Sequence, residues 1–209
     1  MFDWDRWLGQ APWVPYSAVR VKNWRVNWDT GAGVIADMGP HFVETALWAR
    51  NTETCDPVEF EGKGEFAADG FVTVPGRGKV QVRYADCFVL FMDNESKGVR
   101  FDGDEGWMFI DDFGNVKASS KSILKQSVQG ISYEYMAGHI RNFLDGIKSR
   151  RLTVSNPEVA QRTHTVVHCA NLCLRLGRKL RWDPVAGRFI NDQDANNLLS
   201  RTMRAPWRV

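Results

Sequence analysis

Apolar and polar residues change rhythm three times along this chain. The first twenty residues hold Pro12, Pro15 and little periodicity, which predicts an irregular arm packed through its tryptophans. Trp24, Val26 and Trp28 alternate with Arg25, Asn27 and Asp29, the period expected of a half-exposed strand. Beyond the tight Thr30-Gly31-Ala32-Gly33 connection, Ile35, Met38, Phe42, Ala46 and Ala49 recur at helical spacing. Pro40 falls inside that run, so the helix should start near it or kink there.

From residue 58 to residue 125 the texture becomes that of short strands. Runs over 58–64, 70–74, 80–84, 87–92, 98–102, 107–110 and 115–118 are separated by turn signals such as Pro75-Gly76, Asp102-Gly103 and Phe113-Gly114-Asn115. No helix-length segment intervenes, so the strands should be antiparallel rather than parts of βαβ units. The last third reads as helix. Ile140, Phe143, Leu144 and Ile147 share one face over 135–150, and Ser155-Asn156-Pro157-Glu158 reads as a capping box opening a helix that Gly177 ends. Leu180-Arg181-Trp182 suggests an edge strand, and Asp192 should cap a short final helix. The expected fold class is α+β: one large, mainly antiparallel open sheet with helices on one face. A single domain is expected over 1–209, with an arm (1–20), a sheet-and-helix core (21–182) and a C-terminal tail (183–209). The uncovered sheet face would be buried against an identical subunit, which makes a homodimer the default.

Charge removes several functions from consideration. There are 27 basic against 25 acidic residues, a net charge of +2, and the charges are interspersed apart from Arg175, Arg178, Lys179 and Arg181. No basic stripe suited to a phosphate backbone exists, so nucleic acid is not an expected partner. The longest central apolar run is Phe88-Val89-Leu90-Phe91-Met92, too short to span a membrane, and Met1-Phe2-Asp3-Trp4-Asp5 does not resemble a secretory leader. A cytoplasmic location is therefore expected. Cys55, Cys87, Cys169 and Cys173 follow neither a zinc nor a disulfide spacing and should behave as small hydrophobes in a reducing compartment. Six of the nine tryptophans lie in the first fifty residues, at core, interface or sugar-stacking positions.

The densest polar cluster in an apolar setting is Asp37-Met38-Gly39-Pro40-His41. On one helix Asp37 and His41 would share a face, and a carboxylate beside an imidazole suits a proton relay. The same pair also fits a capping aspartate followed by a core histidine. Gly31-x-Gly33-x-x-Ala36 matches a dinucleotide fingerprint on paper, but it does not follow a buried parallel strand and no second βαβ unit comes after it. His164 and His168 are four apart on one helix, as metal ligands can be, yet no third ligand is in view; core packing or substrate lining fits better.

Thr30-Gly31-Ala32-Gly33 through Asp37-x-Gly39-x-His41 resembles the segment that opens the C-terminal domain of the glucose–fructose oxidoreductase/inositol dehydrogenase (Gfo/Idh/MocA) family. His139 to Ser149, Gly177 to Pro184, Asp194-Ala195-Asn196 and Arg204-Ala205-Pro206-Trp207 resemble later parts of that domain, in order. The resemblance implies a sheet that forms a substrate wall and an oligomer interface, and a sugar or polyol as the small-molecule partner. It implies Asp37 and His41 as catalytic residues. Arg25, Trp28, Asp29, His164 and His168 are placed as substrate-binding. It also implies NAD(P) for the complete enzyme, with no cofactor bound by this chain, because the N-terminal Rossmann domain and its catalytic lysine are missing. Ala32 departs from the family's second glycine. The alternatives are a non-catalytic carbohydrate-binding or oligomerisation module of the same fold, and a cofactor-independent lyase or epimerase with His41 as base.

Overall fold

A computed structural model describes residues 2–50, 56–68, 70–86, 88–93, 95, 97–125 and 137–207. They form two compact units, Met1–Ser96 with His164–Val209, and Lys97–Thr163. The α+β class and the antiparallel pairing are as expected, and the strands divide into a five-stranded and a three-stranded sheet.

In the first unit, short helices α1 (Trp4–Leu8) and α2 (Ala18–Lys22) lie in the arm, each begun by a side-chain cap, Asp3 on Arg6 N and Ser17 on Arg20 N. Helices α3 (Gly33–Asp37) and α4 (Gly39–Ala49) follow, separated at Met38. Pro40 sits in the first turn of α4, where its missing N–H costs nothing, so the chain breaks where the sequence indicates. Strands β1 (Pro57–Glu65), β2 (Arg77–Tyr84) and β3 (Val89–Asp93) form an antiparallel meander. The run expected over 70–74 is not a strand; its Thr73 N instead donates to Val26 O.

Phe60, Val82 and Leu90 align across the three strands, as do Gly62, Val80 and Met92. Together they form the inner face, which packs against Val43 and Leu47 of α4. The long helix α7 (Pro157–Leu176) adds Val166, Val167, Ala170 and Leu174 to the same core. Gly64 and Gly78 are opposite each other, and a Cβ on either would lie within 3.3 Å of Leu174. The absence of side chains there makes a notch that Leu174 fills. Strand β7 (Leu180–Asp183) pairs with β1 on one side and β8 (Arg188–Phe189) on the other. It is therefore interior, not an edge, because the chain reverses after it and adds one more strand. The outer face carries Glu59, Glu61, Lys79 and Arg83; Glu59 pairs with Arg83 and Lys179, and the Lys179–Glu61 contact is 2.8 Å. Asp192 caps helix α8 (Gln193–Asn197) through Ala195 N, as expected.

The second unit contains the antiparallel strands β4 (Gly98–Gly103), β5 (Gly106–Asp111) and β6 (Val116–Ala118), then α5 (Lys121–Lys125) and α6 (Ala137–Ser149). The Asp111 carboxylate accepts Phe113 N and Asn115 N at 2.9 and 2.8 Å and closes the β5–β6 turn. Tyr135 and Met136, expected in the late helix, lie outside the described residues, as do Cys55 and Cys87. Asn156, not Ser155, caps α7: its Oδ1 accepts from Glu158 N and Val159 N. Pro157 follows at the first helical position, where its fixed φ is favourable. Gly177 ends the helix with φ +64° and donates to Cys173 O.

Candidate functional site

Residues 24–33 form a folded loop rather than the expected strand. Trp24–Val26 is a single 3-10 turn. Asn27, only 2% exposed, is its hub: its carbonyl accepts from Gly31 N at 2.8 Å and also from Thr30 N and Ala32 N. Its side chain donates to Phe71 O and accepts from Asp29 N. The alternation that suggested a strand comes from a loop that turns its polar middle inward, while Trp24 is 38% exposed. Thr30 Oγ1 donates to Trp24 O at 2.7 Å, and Trp28 N donates to Thr73 Oγ1. Ala32 takes a left-handed conformation, and its carbonyl accepts from the buried Asn171 Nδ2 of α7 at 2.9 Å. That bond fastens the loop to α7.

Asp37 ends α3 and His41 lies in α4, so the break at Met38 separates the pair expected on one helix face. No hydrogen bond joins them. Asp37 Oδ2 instead meets Arg25 Nε at 2.6 Å, and the Arg25 guanidinium also lies over the Trp24 ring, 5.0 Å from its centroid. His41 is exposed. Arg25, expected to face the substrate, is thus committed to the Asp37 carboxylate.

The other sequence-derived residues gather along α7. His164 and His168 stack with ring centroids 6.0 Å apart and planes 24° from parallel. Trp28 packs on the core edge, and two guanidiniums share its ring: Arg175 at 4.6 Å and Arg201 at 4.7 Å. Asp29 and His168 lie close enough to Arg201 for mutual electrostatic influence. The His168 ring reaches solvent, yet surrounding protein mass, then His164 and Arg201, hold its pKa below the usual histidine value. Burial and Arg175 likewise lower Arg201, and Asp29 opposes them. Arg175 and Arg201 were not singled out as site residues from sequence. Arg175 could have been, since His164, His168 and Arg175 are four and seven residues apart on one helical stripe; Arg201 reaches Trp28 from the tail with no local signal. Among the described residues no group of three His, Cys, Asp or Glu side chains is placed to hold a metal ion.

The Gly31-x-Gly33-x-x-Ala36 segment does not fit a dinucleotide. It follows a 3-10 turn, and the helix it opens has five residues. A Cβ on Gly31 would meet Arg25 Cα at 2.6 Å and Trp24 O at 2.7 Å, and one on Gly33 would meet Val74 at 3.1 Å. In a phosphate cradle that space admits the ligand; here this chain's own atoms fill it.

Comparison with protein families matches residues 1–209 to "Oxidoreductase family, C-terminal alpha/beta domain", the second Gfo/Idh/MocA C-terminal form. A comparison with curated proteins returns no match. Among solved structures, the chain is similar to aldose–aldose oxidoreductase from Caulobacter crescentus complexed with glycerol, at 16% identity and TM-score 0.58, covering 77% of this chain and 51% of that one. It is similar to an NAD-binding protein from Listeria innocua at 13% identity and TM-score 0.55, covering 83% and 56%. An oxidoreductase domain protein from Kribbella flavida aligns at 14% identity and TM-score 0.52, covering 80% and 53%. At these identities the likeness is one of fold. The chain spans about half the length of these structures.

Proposed function

This chain belongs to the Gfo/Idh/MocA oxidoreductase family as a C-terminal alpha/beta domain, and on that premise we propose that it supplies the substrate wall of an oxidoreductase acting on a sugar or polyol. The observation that carries the reading is the pairing of Asp37 with Arg25 at the end of α3, with the exposed imidazole of His41 four residues further along the chain, in α4. Oxidising a carbinol releases a proton, and a solvent-facing imidazole is suited to accept it at a ring nitrogen. Asp37, paired with Arg25, supplies the carboxylate of the relay. Nicotinamide chemistry, implied for the complete enzyme, has no cradle in the Gly31–Gly33 segment, so no step is assigned to it. Trp28, Asp29, His164 and His168 would line the substrate side of the wall.

The test is His41→Ala in the complete enzyme. Turnover should fall by about 10²-fold or more while the fold is kept; an unchanged rate would remove the proton-transfer role. We propose further that the outer sheet face joins two copies. Its Glu59, Glu61, Lys79 and Arg83 make that contact polar and salt-sensitive, with Phe91, 75% exposed, as the apolar element. Phe91→Lys should shift the sedimenting species from dimer to monomer.

A further inference from the structure

Arg175 and Arg201 differ from the other arginines of this unit that reach a carboxylate. Arg25, Arg50, Arg178 and Arg204 each lie within 2.8 Å of an Asp oxygen. Arg175 and Arg201 rest their guanidinium carbons over Trp28 and make no ion pair or hydrogen bond with any described residue. Stacking on an aromatic face leaves the N–H edges of a guanidinium available. Two such forks beside one indole are thus held in place with their donors uncommitted. Asp29 is the acid that acts on Arg201, against the Arg175 guanidinium, and Arg201 in turn acts on His168. The cluster carries excess positive charge and is open at the surface, since Arg175, Arg201, His164 and His168 are all exposed. Gly39, two residues before His41, meets α7 at Val167, where a Cβ would lie 3.4 Å from Val167 Cγ2, and Val167 immediately precedes His168.

We infer that the substrate read by this wall carries an acidic group, a carboxylate or a phosphate monoester, received by the free guanidinium edges of Arg175 and Arg201 beside Trp28. The inference rests on the substrate-wall reading and narrows its substrate class from sugars and polyols to their acids or phosphate esters. Guanidinium forks match the two oxygens of a carboxylate or phosphate in a way that neutral hydroxyls cannot. Trp28 acts as a positioning residue, fixing both forks at once.

The experiment titrates this chain with D-glucitol, D-gluconate, D-glucose 6-phosphate and inorganic phosphate, followed by calorimetry and by thermal shift. Glucitol and gluconate differ only in the terminal group. Binding of gluconate or glucose 6-phosphate at least about tenfold tighter than glucitol is expected. That affinity should fall about tenfold in Arg175→Gln and in Arg201→Gln, and be partly kept in the lysine variants, which retain the charge. Preference between gluconate and glucose 6-phosphate identifies the acid as carboxylate or phosphate. Equal binding of glucitol and gluconate would overturn the inference and leave the polyol reading intact. No binding of either acid would overturn it as well, as would inorganic phosphate binding as tightly as both, which is an adventitious ion only. Failure of the underlying reading has a separate signature: turnover unaffected by His41→Ala while acid binding at the arginines persists.

Discussion

Arg25 Nε lies 2.6 Å from Asp37 Oδ2, and the two side chains reach one another across a loop whose backbone is drawn tight at Gly31. Both partners retain solvent contact, 55% and 31% of their side-chain surface, so the pair contributes about 1 kcal/mol or less to stability. Its consequence is chemical. Asp37→Asn should leave the melting temperature within about 3 °C of the parent and lower turnover of the complete enzyme about 10²-fold. Melting curves and steady-state rates on the same variant decide it; a large melting shift with normal turnover would make the pair structural.

Gly31→Ala tests the loop itself. The added Cβ would lie 2.6 Å from Arg25 Cα and 2.9 Å from Arg25 O, backbone atoms that cannot rotate away. Destabilisation of about 1–3 kcal/mol is expected, read as a lower urea midpoint. An unchanged midpoint would mean that the 24–26 turn moves freely.

Asn171 is the other fastening. Its Nδ2 is the donor to Ala32 O in a buried setting, so Asn171→Leu leaves that carbonyl without its partner. A loss of about 1–3 kcal/mol is expected, together with faster hydrogen exchange of the Gly31 and Ala32 amides.

Protonation of His168 is disfavoured in the folded chain by burial, His164 and Arg201. The unfolded chain therefore binds a proton first, and stability rises with pH through this window. The contribution is complete above about pH 6.5 and is lost as pH falls from there toward the depressed folded value. Comparing urea midpoints at pH 7.5 and pH 5.5 for the parent and His168→Gln should show a smaller acid-side loss in the variant; equal losses would place the effect elsewhere.

Burial raises the Cys169 thiol to about 12 and the Cys173 thiol to about 11. Neither should be alkylated by iodoacetamide at pH 8 while the chain is folded, and both should react once urea unfolds it. Peptide mapping by mass spectrometry distinguishes them from the other two cysteines.

The sequence disclosed the sheet better than the site. Strands β1, β2, β4 and β5 were legible because Gly-containing turns set off short runs of strand-forming residues, and β1 and β2 also alternate between a buried inner face and a charged outer one. The 24–29 segment has the same alternation for a different cause, a polar side chain buried as a loop hub, and pattern alone cannot separate the two cases. Ser155 and Asn156 are adjacent capping residues, and only the geometry selects Asn156. His164 and His168 were found from their spacing. Arg201 joins them only through tertiary folding, 33 positions along the chain from His168.

The tail has a bearing on when this unit can form. Arg204 donates to Ala11 O and Asp5 O and pairs with the Asp5 carboxylate, while β7 supplies the partner strand of β1 from residue 180 onward. Both closures join residues far apart in sequence, Asp5 with Arg204 and Glu59 with Arg181, the kind of distant contact that slows folding. During synthesis the arm lacks its contacts to Arg204, and β1 lacks one of its neighbours, until residues 180–204 have been made. Nascent chains stalled before residue 180 should be cut in the arm by protease as readily as unfolded polypeptide, and released full-length chains should resist.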